Sequence, residues 1–131
     1  MDAWFYFNRF SVRSSIESSK KALIEKLMSV VVLAGGEAEV DGDYPGWSYR
    51  VNSPLREKMI TLYKEMYECE PKVEAIHAGL ECGLLASKIN DLDCVSFGPN
   101  MSNIHTTEEH LSISSTRRVW KYLLALLERK G

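Results

Sequence analysis

The sequence predicts a mixed α and β fold, and three observations carry that prediction. Segments rich in aromatic and β-branched residues alternate with segments whose apolar residues recur at helical spacing. Turn formers separate them, most densely at Asp41, Gly42, Asp43, Pro45 and Gly46. The 131 residues are 45% hydrophobic and 26% charged, a globular composition for one ordinary domain or parts of two.

Residues 4–12, with Trp4, Phe5, Phe7, Phe10 and Val12, read as a strand. Ser14 and Glu17 have capping-box spacing, so a helix is expected to about Ala34, burying Leu23, Leu27, Val30, Val31 and Ala34. Gly35-Gly36 stops it, because glycine accepts the left-handed C-terminal conformation. Residues 37–40 form a short strand candidate. Pro45-Gly46 suits the centre of a type II turn and marks a boundary or change of direction. Ser53-Pro54 starts a second helix as N-cap and first helical residue, with Leu55, Met59, Leu62, Tyr63 and Met66 on its apolar stripe. Residues 73–76 then read as a strand, 80–88 as a helix, and 94–97 as a short buried strand. The polar loop that follows carries His105, and Leu111 to Ile113 is extended. A last helix from Ser114 or Ser115 places Val119, Trp120, Leu123, Leu124 and Leu127 on one face.

Charge narrows the possible partners. Sixteen Lys plus Arg against eighteen Asp plus Glu give a net charge of −2, so no basic footprint exists for nucleic acid or an anionic membrane. The apolar run Val30 to Ala34 is far short of the roughly 20 residues that span a bilayer, and no secretion signal is visible. Cys69, Cys82 and Cys94 are an odd, widely spaced set, expected as reduced and mostly buried thiols of a cytoplasmic protein.

Each chemically interesting residue has a plainer competitor. Gly79, at a strand-to-helix junction after His77, could let a ligand approach the backbone, or could simply make the turn. His77 could be a structural histidine or half of a pair with Cys82 that has no orienting third group. His105 could be a metal ligand or a solvated loop histidine, while Thr106 and Glu109 suggest a short helical turn just after it. His110 is a surface or core-edge residue. Arg13 could grip a carboxylate bidentately or be an ordinary surface arginine.

The stretches Glu74 to Leu85, Asp93 to Pro99, Ile104-His105-Thr106 and Leu111 to Thr116, with Val12 to Ser15 and Gly42 to Trp47, resemble one family closely. They are similar to the C-terminal part of the aminoacyl-histidine (Xaa-His, carnosinase-like) dipeptidases. These belong to the di-zinc metallopeptidases, with acetylornithine deacetylase and the tripeptidases. The resemblance implies that His105 is a zinc ligand, that Gly79 lines the substrate pocket, and that Arg13 binds the substrate's C-terminal carboxylate. It implies two zinc ions per complete site, with cobalt or manganese as possible substitutes, and a dipeptide substrate. It also implies a homodimer formed through the lid. Thr107 departs from the proline that relatives carry after His-Thr.

Family members are several times longer. Their His-x-Asp motif, bridging aspartate and paired glutamates have no counterpart here. The chain is therefore expected to be residues 1–42 of lid and 43–131 of the C-terminal catalytic segment, inactive alone. Two other readings stand beside it: a non-catalytic, self-associating module derived from the same segments, and an RNA-binding ferredoxin-like domain, which the charge disfavours.

Overall fold

A computed structural model describes residues 6–77 and 80–129. Among them are α1 (Glu17–Leu33), α2 (Pro54–Tyr67), α3 (Glu81–Lys88), β1 (Met101–Ser102), β2 (His110–Leu111) and α4 (Ile113–Glu128). The mixed α and β class is observed, with helix dominant and a single two-stranded sheet among the described residues. The chain divides into two compact units, Met1–Tyr49 with Ala75–Asp91, and Arg50–Glu74 with Leu92–Gly131. No helix among the described residues is long and apolar enough to cross a membrane.

The first unit is organised around one buried lysine. Lys20 is 5% exposed; its Nζ lies 2.5 Å from Asp43 Oδ1 and 3.1 Å from Glu17 Oε2, and also donates to the Tyr44 carbonyl. A buried ammonium must be paired, so α1 turns its Lys20 side toward the 43–47 turn. Ile24, Leu27, Met28 and Val31 follow Lys20 on the half-buried stripe. The expected stripe is thus half right: Leu27 and Val31 are on it, but Leu23, Val30 and Ala34 are exposed.

The predicted capping box does not form. Ile16 occupies the N-cap position without a side-chain cap, and Ser14 Oγ accepts the Ile16 N–H at 3.1 Å. Glu17 Oε2 instead accepts the Gly46 N–H at 2.9 Å, a long-range bond that takes the carboxylate from its local partner. That bond and the Lys20 ammonium lower the Glu17 pKa. The C-terminal stop is as expected: Gly35 has φ of 80°, its N–H bonds Val32 O, and Gly36 N–H bonds Val31 O, a Schellman motif.

In the second unit α2 packs against α4 around Met59, Leu62 and Tyr122, joined by Leu55, Tyr63, Tyr67, Val95, Ala125 and Leu126. The Tyr122 hydroxyl donates to Met59 O at 2.7 Å, and Phe97 meets the Tyr122 ring edge-on at 5.6 Å. Burial, with Tyr67 and Tyr63 beside it, pushes the Tyr122 hydroxyl pKa up. The Ser53-Pro54 start is confirmed. Ser53 Oγ accepts the Arg56 N–H, Asp93 accepts the Leu55 N–H, and Pro54 has no N–H to satisfy. On α4 the inward face is Val119, Tyr122, Ala125 and Leu126, while Trp120 and Leu127 are 59% and 73% exposed. The predicted apolar face is thus partly right, since Val119 and Leu123 are half-buried while Trp120, Leu124 and Leu127 are exposed. Tyr122 turns inward because its ring packs with Tyr63 and its hydroxyl finds a carbonyl. The helix starts at Ile113 with Ser112 as N-cap, slightly before the expected serines.

The strands predicted at 4–12, 37–40, 73–76 and 94–97 are not observed, residues 4 and 5 lying outside the described set. Aromatic and β-branched composition makes a segment suited to a sheet, but a strand exists only where its N–H and C=O groups meet a neighbouring strand. These segments find no such ladder among the described residues.

Candidate functional site

The two units carry different candidate residues. In the second, β1 and β2 pair antiparallel, Met101 opposite Leu111 and Ser102 opposite His110, and present residues 103–109 as a connecting loop. The hairpin is tied to α4. Asn100 N–H donates to Ser115 Oγ at 2.9 Å, and Ser112 N–H to Asn100 O at 2.9 Å; Ser115 itself is 3% exposed.

Within the loop His105 has φ of 67° and Asn103 has φ of 54°. Left-handed backbone costs an L-residue about 1–2 kcal/mol, and it persists where surrounding bonds over-determine it. Those bonds are present. Thr106 N–H and Oγ–H both donate to Asn103 O, at 3.1 and 2.7 Å, and Glu109 Oε2 accepts the His105 N–H at 2.7 Å. The expected helical turn after His105 is thus a non-helical loop. Thr106 caps the Glu108 N–H, while the Glu109 carboxylate reaches one residue further back than a capping box would place it. Since Thr106 N–H is already bonded to Asn103 O, His105 N–H is the donor left for Glu109.

His105 is exposed. His110 Nδ1 lies 2.9 Å from Glu108 O; a carbonyl can only accept, so this nitrogen carries the proton. Among the described residues no three His, Cys, Asp or Glu side chains come together in a way that could hold a metal ion. The described donor set does not fit a complete metal centre, and His105 offers at most one ligand.

In the first unit Arg13 is exposed, and Gly79 lies outside the described residues. Sequence reasoning missed what lies beside them. Ser15 N–H donates to His77 Nδ1 at 3.0 Å across 62 residues. The chain next to Arg13 is thereby joined to the segment leading to Gly79. Ser15 O in turn accepts the Ser48 hydroxyl at 3.0 Å, and a Cβ on Gly46 would lie 2.8 Å from that same oxygen. Gly83 of α3 faces the same turn, its Cβ position 3.0 Å from Pro45 O. Two glycines therefore let the 43–47 turn approach the backbone at Ser15 and α3 closely. No local periodicity announces these contacts.

Asp93 is a further partly buried carboxylate, accepting from Ser53 Oγ at 2.6 Å and Leu55 N–H at 2.9 Å. Burial raises its pKa, but those two bonds with the Arg50 and Arg56 charges outweigh it and hold it below the usual value. With both oxygens engaged at the start of α2, its role is structural. Cys69, Cys82 and Cys94 are free thiols, but not buried as expected: Cys69 is exposed and the other two are half-buried.

Comparison with known proteins adds two findings. The chain is 37% identical over 117 residues to the cytosol non-specific dipeptidase of Escherichia coli, covering 89% of this chain and 24% of that protein. Its structure matches that of the aminoacylhistidine dipeptidase from Vibrio alginolyticus with a TM-score of 0.71 and 36% identity, over 90% of this chain and 25% of the other. The chain thus spans about a quarter of the length of the relatives it matches. No protein-family model matches it.

Proposed function

We propose that this chain, which is homologous to the aminoacylhistidine dipeptidases over nine-tenths of its length, is the C-terminal portion of a zinc-dependent dipeptidase acting on Xaa-His dipeptides. One observation carries this reading: identity of 36% together with a TM-score of 0.71, confined to a quarter of the relative. In this reading the described chain contributes one imidazole, His105, to a metal centre whose other ligands lie elsewhere in the complete enzyme. Arg13 takes the substrate's C-terminal carboxylate, for which a guanidinium's planar fork suits bidentate bonding. Gly79 lines the pocket. The left-handed backbone at His105 supports its part, since strain of this kind gathers at functional positions. The name of the Escherichia coli relative supports a cytoplasmic location.

The chain alone is inactive in this reading, because a hydrolytic site needs its other metal ligands and a general base. The test is hydrolysis of β-alanyl-histidine with added zinc, by this chain alone and by the Escherichia coli dipeptidase carrying this chain in place of its matching segment. Expected are no turnover by the chain alone, turnover by the chimera, and loss of that turnover in the chimera's His105→Ala variant. Turnover by the chain alone, or a chimera indifferent to His105→Ala, overturns the proposal.

A second reading is a self-associating module without catalysis. It is favoured by the exposed apolar side chains of α1: Leu23, Val30, Val32 and Leu33 are 46%, 65%, 63% and 88% exposed. Association through this helix is also compatible with a homodimer of the complete enzyme. Sedimentation of the chain alone, compared with Val30→Glu and Leu33→Glu variants, measures it.

A further inference from the structure

Resting on the reading of Arg13 as the carboxylate-binding group, we infer that His77 is a positioning residue for Arg13. The Ser15 N–H can only donate, so His77 Nδ1, 3.0 Å away, must be the unprotonated nitrogen of the ring. A neutral imidazole accepting there carries its proton on Nε2. This bond holds the backbone two residues after Arg13.

Other contacts complete the grip. Ser15 O accepts from Ser48 Oγ and lies against Gly46, and Ser14 Oγ accepts the Ile16 N–H. The backbone at Ser15 is thus held at its N–H by His77 and at its carbonyl by Ser48. Removing the imidazole releases the Ser15 N–H, two residues after Arg13 in the chain. A guanidinium binds a carboxylate more tightly when its backbone is set before the ligand arrives, because ordering it on binding subtracts from affinity. His77 therefore acts through Arg13 and touches neither substrate nor metal in this proposal. Asparagine is the informative replacement, since its Oδ1 can stand where Nδ1 accepts.

The decisive experiment uses the isotope-labelled 131-residue chain in solution. Expected are a scalar coupling across the Ser15 N–H···Nδ1 His77 bond, and backbone relaxation at Arg13 as slow and ordered as in α1. His77→Ala abolishes the coupling and leaves Arg13 mobile, with α1 unchanged; His77→Asn keeps Arg13 ordered. An Arg13 backbone equally ordered in wild type and His77→Ala, or mobile in both, overturns the proposal. So does an α1 that loses order along with Arg13, which would make His77 a general structural residue.

The consequence for catalysis is read in the chimeric dipeptidase. There His77→Ala raises KM about tenfold, the scale of ordering about one backbone residue on binding, with kcat changed less, and His77→Asn restores most of the loss. Arg13→Ala separates the two claims. If it leaves KM unchanged while the relaxation result holds, the carboxylate reading of Arg13 fails and the positioning of its backbone stands.

Discussion

The Glu109 carboxylate accepts the backbone N–H of His105 at 2.7 Å, and His105 sits at φ of 67°. The residue proposed as a metal ligand is thus held in a conformation glycine would adopt more easily. His105→Gly is expected to leave the chain at least as stable as wild type, gaining up to about 1 kcal/mol from the relieved left-handed backbone less glycine's own entropy cost. Urea unfolding measures it. A loss of more than about 1 kcal/mol would show that the imidazole contributes packing rather than chemistry.

Gly46 answers a different steric demand. A Cβ there would lie 2.8 Å from Ser15 O, a backbone atom that cannot swing aside, so Gly46→Ala should cost about 1–3 kcal/mol. Gly98 has nothing within 4 Å of its Cβ position, and Gly98→Ala should change stability by less than about 0.5 kcal/mol. Thermal melts of the two variants compare them directly. Equal effects would refute the close approach of the 43–47 turn to Ser15.

Asp93 makes acid stability predictable. Its pKa is lowered in the folded chain, so its contribution is fully present above the unfolded carboxylate value of about 3.9 and is lost as pH falls through the lower folded value. Asp93→Asn should cost about 1–3 kcal/mol at pH 7, since it weakens the bonds from Ser53 Oγ and Leu55 N–H. The gap between the two proteins should close in strong acid. Denaturant curves from pH 7 down to pH 2 follow it, and a gap that is constant with pH contradicts the assignment.

Tyr122 separates hydrogen bonding from packing. Tyr122→Phe removes only the bond to Met59 O and should cost about 0.5–1.5 kcal/mol. Tyr122→Ala also removes the ring from among Tyr63, Tyr67 and Phe97, and should cost about 3–5 kcal/mol. Chemical denaturation of the pair gives both numbers, and equal losses would mean the ring packs loosely.

Local chemistry determined much of this protein. Ser53-Pro54 starts α2 and Gly35-Gly36 ends α1 because caps and stops are made by neighbouring atoms in the chain. The motifs around His77, Gly79 and His105 likewise pointed to the dipeptidases with which the chain proves homologous. Tertiary structure decided what depends on distant partners. Glu17 left Ser14 for Gly46 N–H, and Lys20 set which side of α1 is buried. Tyr122 set the inward face of α4, and among the described residues the segments predicted as strands at 37–40, 73–76 and 94–97 formed no ladder. Ser15 met His77 across 62 residues, an encounter no periodicity records. A hydrogen bond within a turn is written in sequence spacing; one between segments depends on which surfaces the whole chain brings together.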